Sequence, residues 1–184
     1  MPRSCFSVDL YLKALRVAAT AHGAQKVPSS ELPYLLHVTS VAAEVIGALE
    51  SEHHDAPDLA VPCALLHDVI EDTPMSLDHI RAEFGPAIAA GVSALTKNAS
   101  LPKEEQMRDS LERIRAQPPE IWMVKLADRI TNLQPPPSHW TPEKCRRYRI
   151  EAEGILESLG SASARLAERF RIRLVDYRRF EPAE

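Results

Sequence analysis

In the stretch 64-ALLHDVIEDTP-74, the ionisable residues His67, Asp68, Glu71 and Asp72 are threaded through Leu65, Leu66, Val69 and Ile70. Burying charge is costly unless the charges are paired or hold a metal. On a helix, positions four apart share a face, so His67 is expected over Glu71 and Asp68 over Asp72. Adjacent residues on a helix point about 100° apart. His67 and Asp68 therefore meet only at a point lying between their directions, and a metal ion can occupy such a point. Two ligands hold a metal poorly. Two further candidates sit in apolar surroundings: His37 in 34-YLLHVTSVA-42 and Asp128 in 124-VKLADRITNL-133. Two imidazoles and two carboxylates suit Mn²⁺, Fe²⁺ or Co²⁺ with water filling an octahedron, and Zn²⁺ is compatible. A closed structural zinc site is usually richer in thiolate. Four protein ligands with open positions point to metal-activated water.

These side chains need a scaffold, and the pattern predicts helices. Pro is frequent (15) and Gly scarce (6), so the Pro clusters punctuate the chain rather than fill it. Apolar residues recur at helical spacing over Val8 to Gln25 and Tyr34 to Leu49. A third helix is expected from Asp58 or Pro62 to Ile70. Ser76 reads as the N-cap of a helix stopped at 84-FG-85, and Pro86 opens the next, through Leu95. Further helices are expected over Pro102 to Ala116, Pro119 to Leu133, Pro142 to Leu159 and Ser161 to Phe180. No alternating strand pattern of useful length appears. The expectation is an all-α, single-domain bundle of about eight helices spanning residues 1–184, with the helix in 161–180 packed on the rest.

Hydrophobic content of 45% and charged content of 26% over 184 residues are enough for a substantial core. A net charge of -4 argues against general nucleic-acid binding. The locally basic 146-RRYR-149 is short, and acidic residues interrupt 165-RLAERFRIRLVDYRRF-180, which reads as a solvated helix face. Cys5, Cys63 and Cys145 form no C-x-x-C site and are odd in number, which fits reduced thiols in a cytoplasmic protein. Met1 to Leu12 contains Pro2, Arg3 and Asp9 and does not read as a signal peptide. No run approaches the roughly 20 apolar residues of a membrane span.

The assembled motifs resemble the HD-domain metal phosphohydrolases, and within them the hydrolase domain of the RelA/SpoT family. The string 64-ALLHDVIEDT-73, followed by 84-FG-85, 95-LTK-97 and 125-KLADRITNL-133, carries the resemblance. So do 21-AHGAQK-26 and 33-PYLLH-37. The segment 140-WTPEKCRRY-148 is similar to the stand-alone small alarmone hydrolases of the animal type. The likeness covers roughly residues 8–160.

That resemblance implies Mn²⁺ held by His37, His67, Asp68 and Asp128, with Glu71 and Asp72 orienting the attacking water and handling its proton. It implies removal of the 3′-pyrophosphate from guanosine 3′,5′-bis(diphosphate), giving GDP and pyrophosphate. The expected partner is this small nucleotide, with no nucleic acid and no membrane, and a homodimer is an open alternative to a monomer. Lys97, Lys125 and Arg129 are the candidates for the phosphates, and Asn132 and Tyr148 for the nucleoside. Of the family's basic pair near the base only Lys26 remains, because Val27 stands where a second cation is usual. Other readings stay open: a hydrolase of a related nucleotide such as an adenosine-type alarmone or NADP(H) at its 2′-phosphate, a non-catalytic nucleotide-binding regulator, or a plain helical interaction protein.

Overall fold

A computed structural model describes residues 6–182. The helices are α1 (Val8–His22), α2 (Leu35–Ser51), α3 (Pro57–Leu66), α4 (Val69–Asp72), α5 (Leu77–Leu95), α6 (Lys103–Arg115), α7 (Pro119–Asn132), α8 (Pro142–Leu159) and α9 (Ala164–Tyr177). Short 3₁₀ turns, Gly160–Ala162 and Arg178–Phe180, flank α9. Among the described residues there is no strand, only an isolated antiparallel bridge between Lys26 and Pro33. The all-α expectation holds.

Local chemistry sets the helix ends. The hydroxyls of Ser7, Ser76, Thr141 and Ser163 accept hydrogen bonds from the main-chain N–H of Leu10, His79, Lys144 and Leu166, each satisfying a donor that the first turn leaves free. Pro57, Pro119 and Pro142 stand at helix starts, where a missing N–H costs nothing. Gly85 adopts φ 84° and ψ 172°, a backbone that side-chain-bearing residues avoid. The stop expected there is therefore a kink within α5, which resumes at Pro86.

The centre of the bundle is α3, whose residues Ala60 to Leu66 are buried on every side. It packs against α1, α2, α5 and α7. Such all-round burial explains why this segment shows little amphipathic pattern. The next most enclosed helix is α7, against α2, α3 and α9. Gly91 of α5 allows the closest approach, since a Cβ there would lie 2.5 Å from Ile121 Cδ1 and 2.8 Å from Cys63 Sγ. Buried Glu120 accepts a hydrogen bond from the Ala56 N–H at 3.1 Å, capping α3 from α7. Cys63 and Cys145 are free and buried, while Cys5 lies outside the described residues. No described helix is long and apolar enough to cross a membrane.

One expectation needs correction. The helix foreseen through Ile70 is not continuous, because α3 ends at Leu66 and α4 begins at Val69. Asp68 has φ -101° and ψ -4°, which turns the chain between the two. The pause replaces the simple stacking of His67 over Glu71, although Asp72 N–H still donates to Asp68 C=O at 2.9 Å. It also lets adjacent side chains converge: His67 Nε2 and Asp68 Oδ2 are 2.9 Å apart.

Candidate active site

Three elements deliver the candidate ligands. His37 comes from the first turn of α2, His67 and Asp68 from the bend between α3 and α4, and Asp128 from α7. His37 Nε2 lies 3.5 Å from Asp128 Oδ1 and 3.6 Å from Asp68 Oδ2. His67 Nε2 lies 3.7 Å from Asp128 Oδ1. Donor atoms of His37, His67 and Asp128 all fall within 4.8 Å of one another, as a shared metal ion requires. Asp68 sits beside this triplet, reaching both imidazoles through one oxygen.

The tautomer of His67 is informative. Its Nδ1 is 2.8 Å from the main-chain carbonyl of Ala64, which only accepts, so Nδ1 carries the hydrogen. In the neutral ring Nε2 then presents a lone pair. That atom is buried and makes no hydrogen bond among the described residues; Asp68 Oδ2 is near but lacks hydrogen-bond geometry. A lone pair facing carboxylate oxygens away from water is unfavourable unless a cation lies among them. The donors fit a divalent metal, and the Ala64 carbonyl orients the ring as a metal-bound histidine needs.

Charge balance in the cluster agrees. Burial works against the charged form of each group, but mutual attraction outweighs it. Asp68 and Asp128 raise the proton affinity of His67 well above that of a free imidazole, and His37 is raised as well. Burial resists ionisation of Asp68, yet His67 and His37 hold its carboxyl well below the usual range. Asp128 is likewise held low, against its burial, by Lys125 and both imidazoles. The four groups together attract positive charge.

Further side chains brace the carboxylates. Tyr34 Oη donates to Asp68 Oδ2 at 2.5 Å, and burial with the adjacent carboxylate pushes its phenol pKa up. Lys125 Nζ donates to Asp128 Oδ2 at 3.0 Å, and Asn132 Nδ2 to Asp128 Oδ1 at 2.6 Å. Lys125 and Asn132, expected at the substrate, thus contact the candidate ligand Asp128 directly. Asn132 also lines the cleft.

Glu71 and Asp72 have different surroundings. Glu71 is engaged at both oxygens, accepting from Lys97 Nζ at 2.7 Å and from the Lys97 N–H at 3.0 Å. Burial would lower the Lys97 pKa, but Glu71 outweighs it and raises it. The loop bearing Lys97 is anchored by Arg113, whose guanidinium donates to the carbonyls of Ser93, Ala94 and Thr96. Asp72 accepts at Oδ2 from Gln25 Nε2 at 3.1 Å.

Arg129 is buried, paired with Glu151 at 2.7 Å and stacked on Tyr148 with its guanidinium carbon 4.3 Å from the ring centre. Burial pushes the Tyr148 phenol up to about 12, partly opposed by Arg129. Lys26 pairs with Glu31 and lines neither cavity described next. A cleft of about 510 Å³ contains His67, Asp68, Glu71, Asp72, Lys97, Lys125, Asp128, Arg129, Asn132 and Tyr148. A second cavity of about 720 Å³ opens beside His37, between Val27 to Leu36, Pro135 to Trp140 and Tyr177. Asn132 and Tyr148 line both. Sequence reasoning did not single out Tyr34, Gln25, Glu151, or the cleft residues Lys103 and Gln106. Tyr34 had a visible signal, since it precedes His37 by three positions.

An all-α bundle that converges an adjacent His-Asp pair with a histidine and an aspartate from two other helices is the arrangement of an HD-type phosphohydrolase. The model of the HD domain family matches residues 14–164, and the chain belongs to that family. It is similar to guanosine-3′,5′-bis(diphosphate) 3′-pyrophosphohydrolase MESH1 of Drosophila melanogaster, 30% identical over 161 residues that make up 85% of this chain and 88% of the fly protein. The Homo sapiens MESH1 protein is 30% identical over 162 residues, again 85% of this chain and 88% of the relative. A Haemophilus influenzae guanosine-3′,5′-bis(diphosphate) 3′-pyrophosphohydrolase is 39% identical over 141 residues, but these are 20% of that protein. The solved structure of a metazoan ortholog of SpoT, described as hydrolysing ppGpp with a role in starvation responses, matches with a TM-score of 0.80 and 28% identity. That match covers 94% of this chain and 98% of the solved one.

Proposed function

We propose that the protein is a manganese-dependent hydrolase that removes the 3′-pyrophosphate from guanosine 3′,5′-bis(diphosphate). The observation that carries the reading is the buried Nε2 of His67, without a hydrogen bond among the described residues, beside the carboxylates of Asp68 and Asp128. His37, His67, Asp68 and Asp128 would hold the ion, and their mixed nitrogen and oxygen character suits Mn²⁺. A divalent cation bound there supplies Lewis acidity to water and to the phosphoryl group. The MESH1 relatives support the substrate.

Within this chain the roles divide. Glu71 is neutralised by Lys97, whereas Asp72 has one oxygen, Oδ1, without a hydrogen bond among the described residues. Asp72 is therefore the proton acceptor, and Glu71 holds Lys97 at the cleft until phosphate competes for it. The attacking water gives a proton to Asp72 and its oxygen to the phosphorus attached to O3′; the P–O3′ bond breaks, and O3′ takes up a proton from solvent to leave as the hydroxyl of GDP. Lys97, Lys125 and Arg129 offset negative charge on the phosphates. The nucleoside lies towards Asn132 and Tyr148, where the two cavities meet. Lys26 lies outside both linings and is assigned to the outer edge of this region. Incubation with the bis(diphosphate) and Mn²⁺ should yield GDP and pyrophosphate in equal amounts. Failure to release pyrophosphate would overturn the proposal, and release of phosphate from NADPH alone would place the substrate in another nucleotide class.

A further inference from the structure

Between α1 and α2 the chain makes a small hairpin-like loop whose geometry is set by its main chain. Val27 N–H donates to Leu32 C=O at 2.9 Å, and Lys26 bridges to Pro33. At the base of this loop Gln25 is fixed from both sides. Its N–H donates to His22 C=O at 2.8 Å, and its C=O accepts from Tyr34 N–H at 2.8 Å. The side chain is fixed too. The Asp72 carboxylate only accepts, so the Gln25 amide nitrogen faces it, at 3.1 Å. The Gln25 amide oxygen then faces His22 Nδ1 at 2.8 Å, which requires the hydrogen on Nδ1. His22 is buried, its Nε2 meets no partner among the described residues, and its ring centre lies 4.7 Å from that of Tyr34. A buried imidazole with one nitrogen unsatisfied is costly. Its remaining polar contact is the one that orients Gln25.

We propose that Gln25, locked in orientation by His22, is a positioning residue that holds the Asp72 carboxylate at Oδ2 and leaves Oδ1 for the attacking water. The inference rests on the reading of Asp72 as the proton acceptor. Gln25 acts only through Asp72 and contacts neither the reacting phosphate nor a candidate metal ligand through its side chain. The loop thereby couples two tasks: its base aims Asp72, and its tip, from Val27 to Leu32, lines the cavity beside His37.

The test is a steady-state comparison of Gln25→Glu with the wild-type protein on guanosine bis(diphosphate) and Mn²⁺, with bound metal measured in both. Glu keeps the length of the side chain and an oxygen for His22, but replaces the donor to Asp72 with an acceptor. The expected result is a fall in kcat on the order of 10- to 100-fold, with KM and metal content near wild type. His22→Asn, whose amide nitrogen takes the place of Nδ1, should retain more of kcat than His22→Leu. Thermal midpoints of Gln25→Ala, Asp72→Ala and the double variant check the contact without turnover. The double variant should lose less than the sum of the single losses. If Gln25→Glu does not fold, Gln25→Ala carries the kinetic test. Unchanged kcat, a rise in KM alone, or loss of metal in step with kcat overturns the inference while leaving wild-type hydrolysis intact. Absence of hydrolysis by the wild type overturns the functional reading instead.

Discussion

The two cavities meet at Asn132 and Tyr148, yet they are built from opposite materials. The cleft over His67 is lined by Asp68, Glu71, Asp72, Asp128 and Glu151 interleaved with Lys97, Lys103, Lys125 and Arg129. Among the described residues, the cavity beside His37 has no Asp, Glu, Lys or Arg in its lining, which is largely Pro, Ser, Leu and the aromatic rings of Trp140, Tyr148 and Tyr177. Charges inside a protein are tolerated when paired, and almost every charge in the first cleft has a partner that fixes its position. An uncharged, aromatic-walled space imposes weaker directional demands. A ligand there would be selected by shape and stacking. On the proposed reading, the charged cleft serves the hydrolysis and the aromatic-walled cavity receives the base by shape and stacking.

The largest effect should follow from removing a buried member of the charged cleft. His67→Ala or Asp128→Ala should abolish measurable hydrolysis and bound metal together, whereas retained metal would separate these residues from the ion. Next in size is Asp72→Asn, which keeps the shape but not the base. A drop in kcat of about 10²- to 10⁴-fold with metal retained is expected for a lost proton acceptor, and an unchanged rate would remove Asp72 from the mechanism. Tyr34→Phe should weaken Mn²⁺ binding by about 10-fold through Asp68, read by titration of the metal-free protein; equal affinity would make Tyr34 a packing residue.

The pH dependence of stability tests the same cleft. In metal-free protein the raised imidazoles of His37 and His67 contribute stability that is complete below 6.5 and lost as pH rises through their folded values. Asp68 and Asp128 are held below 3.8, so their contribution is lost only in stronger acid. The thermal midpoint of the metal-free protein should therefore fall as pH rises above 6.5. Added divalent metal should reverse the trend, since it competes with protons for the same lone pairs. A flat profile in both states would contradict this. The smallest effect belongs to the uncharged cavity. Val27→Arg adds a cation to its wall and should shift preference towards guanine over adenine ligands by about two- to five-fold, the scale of one cation–π contact. No shift would mean that the loop tip does not read the base.

Much of this arrangement is legible in the sequence, for identifiable reasons. Pro119 and Pro142 mark helix starts, and Gly85 a break, because their backbone restrictions are local. His37, His67, Asp68 and Asp128 stand out because ionisable residues in apolar helices demand a reason. The bend at His67 and Asp68 is not legible, since neither residue is a helix breaker and the turn follows from how α3 and α4 meet their neighbours. Charge pairing is equally hidden: Lys97 with Glu71 and Arg129 with Glu151 depend on packing between distant elements. The loop from Gly23 to Tyr34 is the least legible region. The family resemblance marks Val27 as standing where a cation is usual, but nothing in the sequence indicates that Gln25 reaches Asp72.

On the proposed reading, the buried lone pair of His67 holds a divalent cation that hydrolysis requires. The most direct measurement strips the protein with chelator and follows pyrophosphate release from guanosine 3′,5′-bis(diphosphate) as Mn²⁺ is added back. The expected result is no release from the stripped protein and recovery that tracks metal bound. Full release after stripping, or metal binding that restores none, would contradict it.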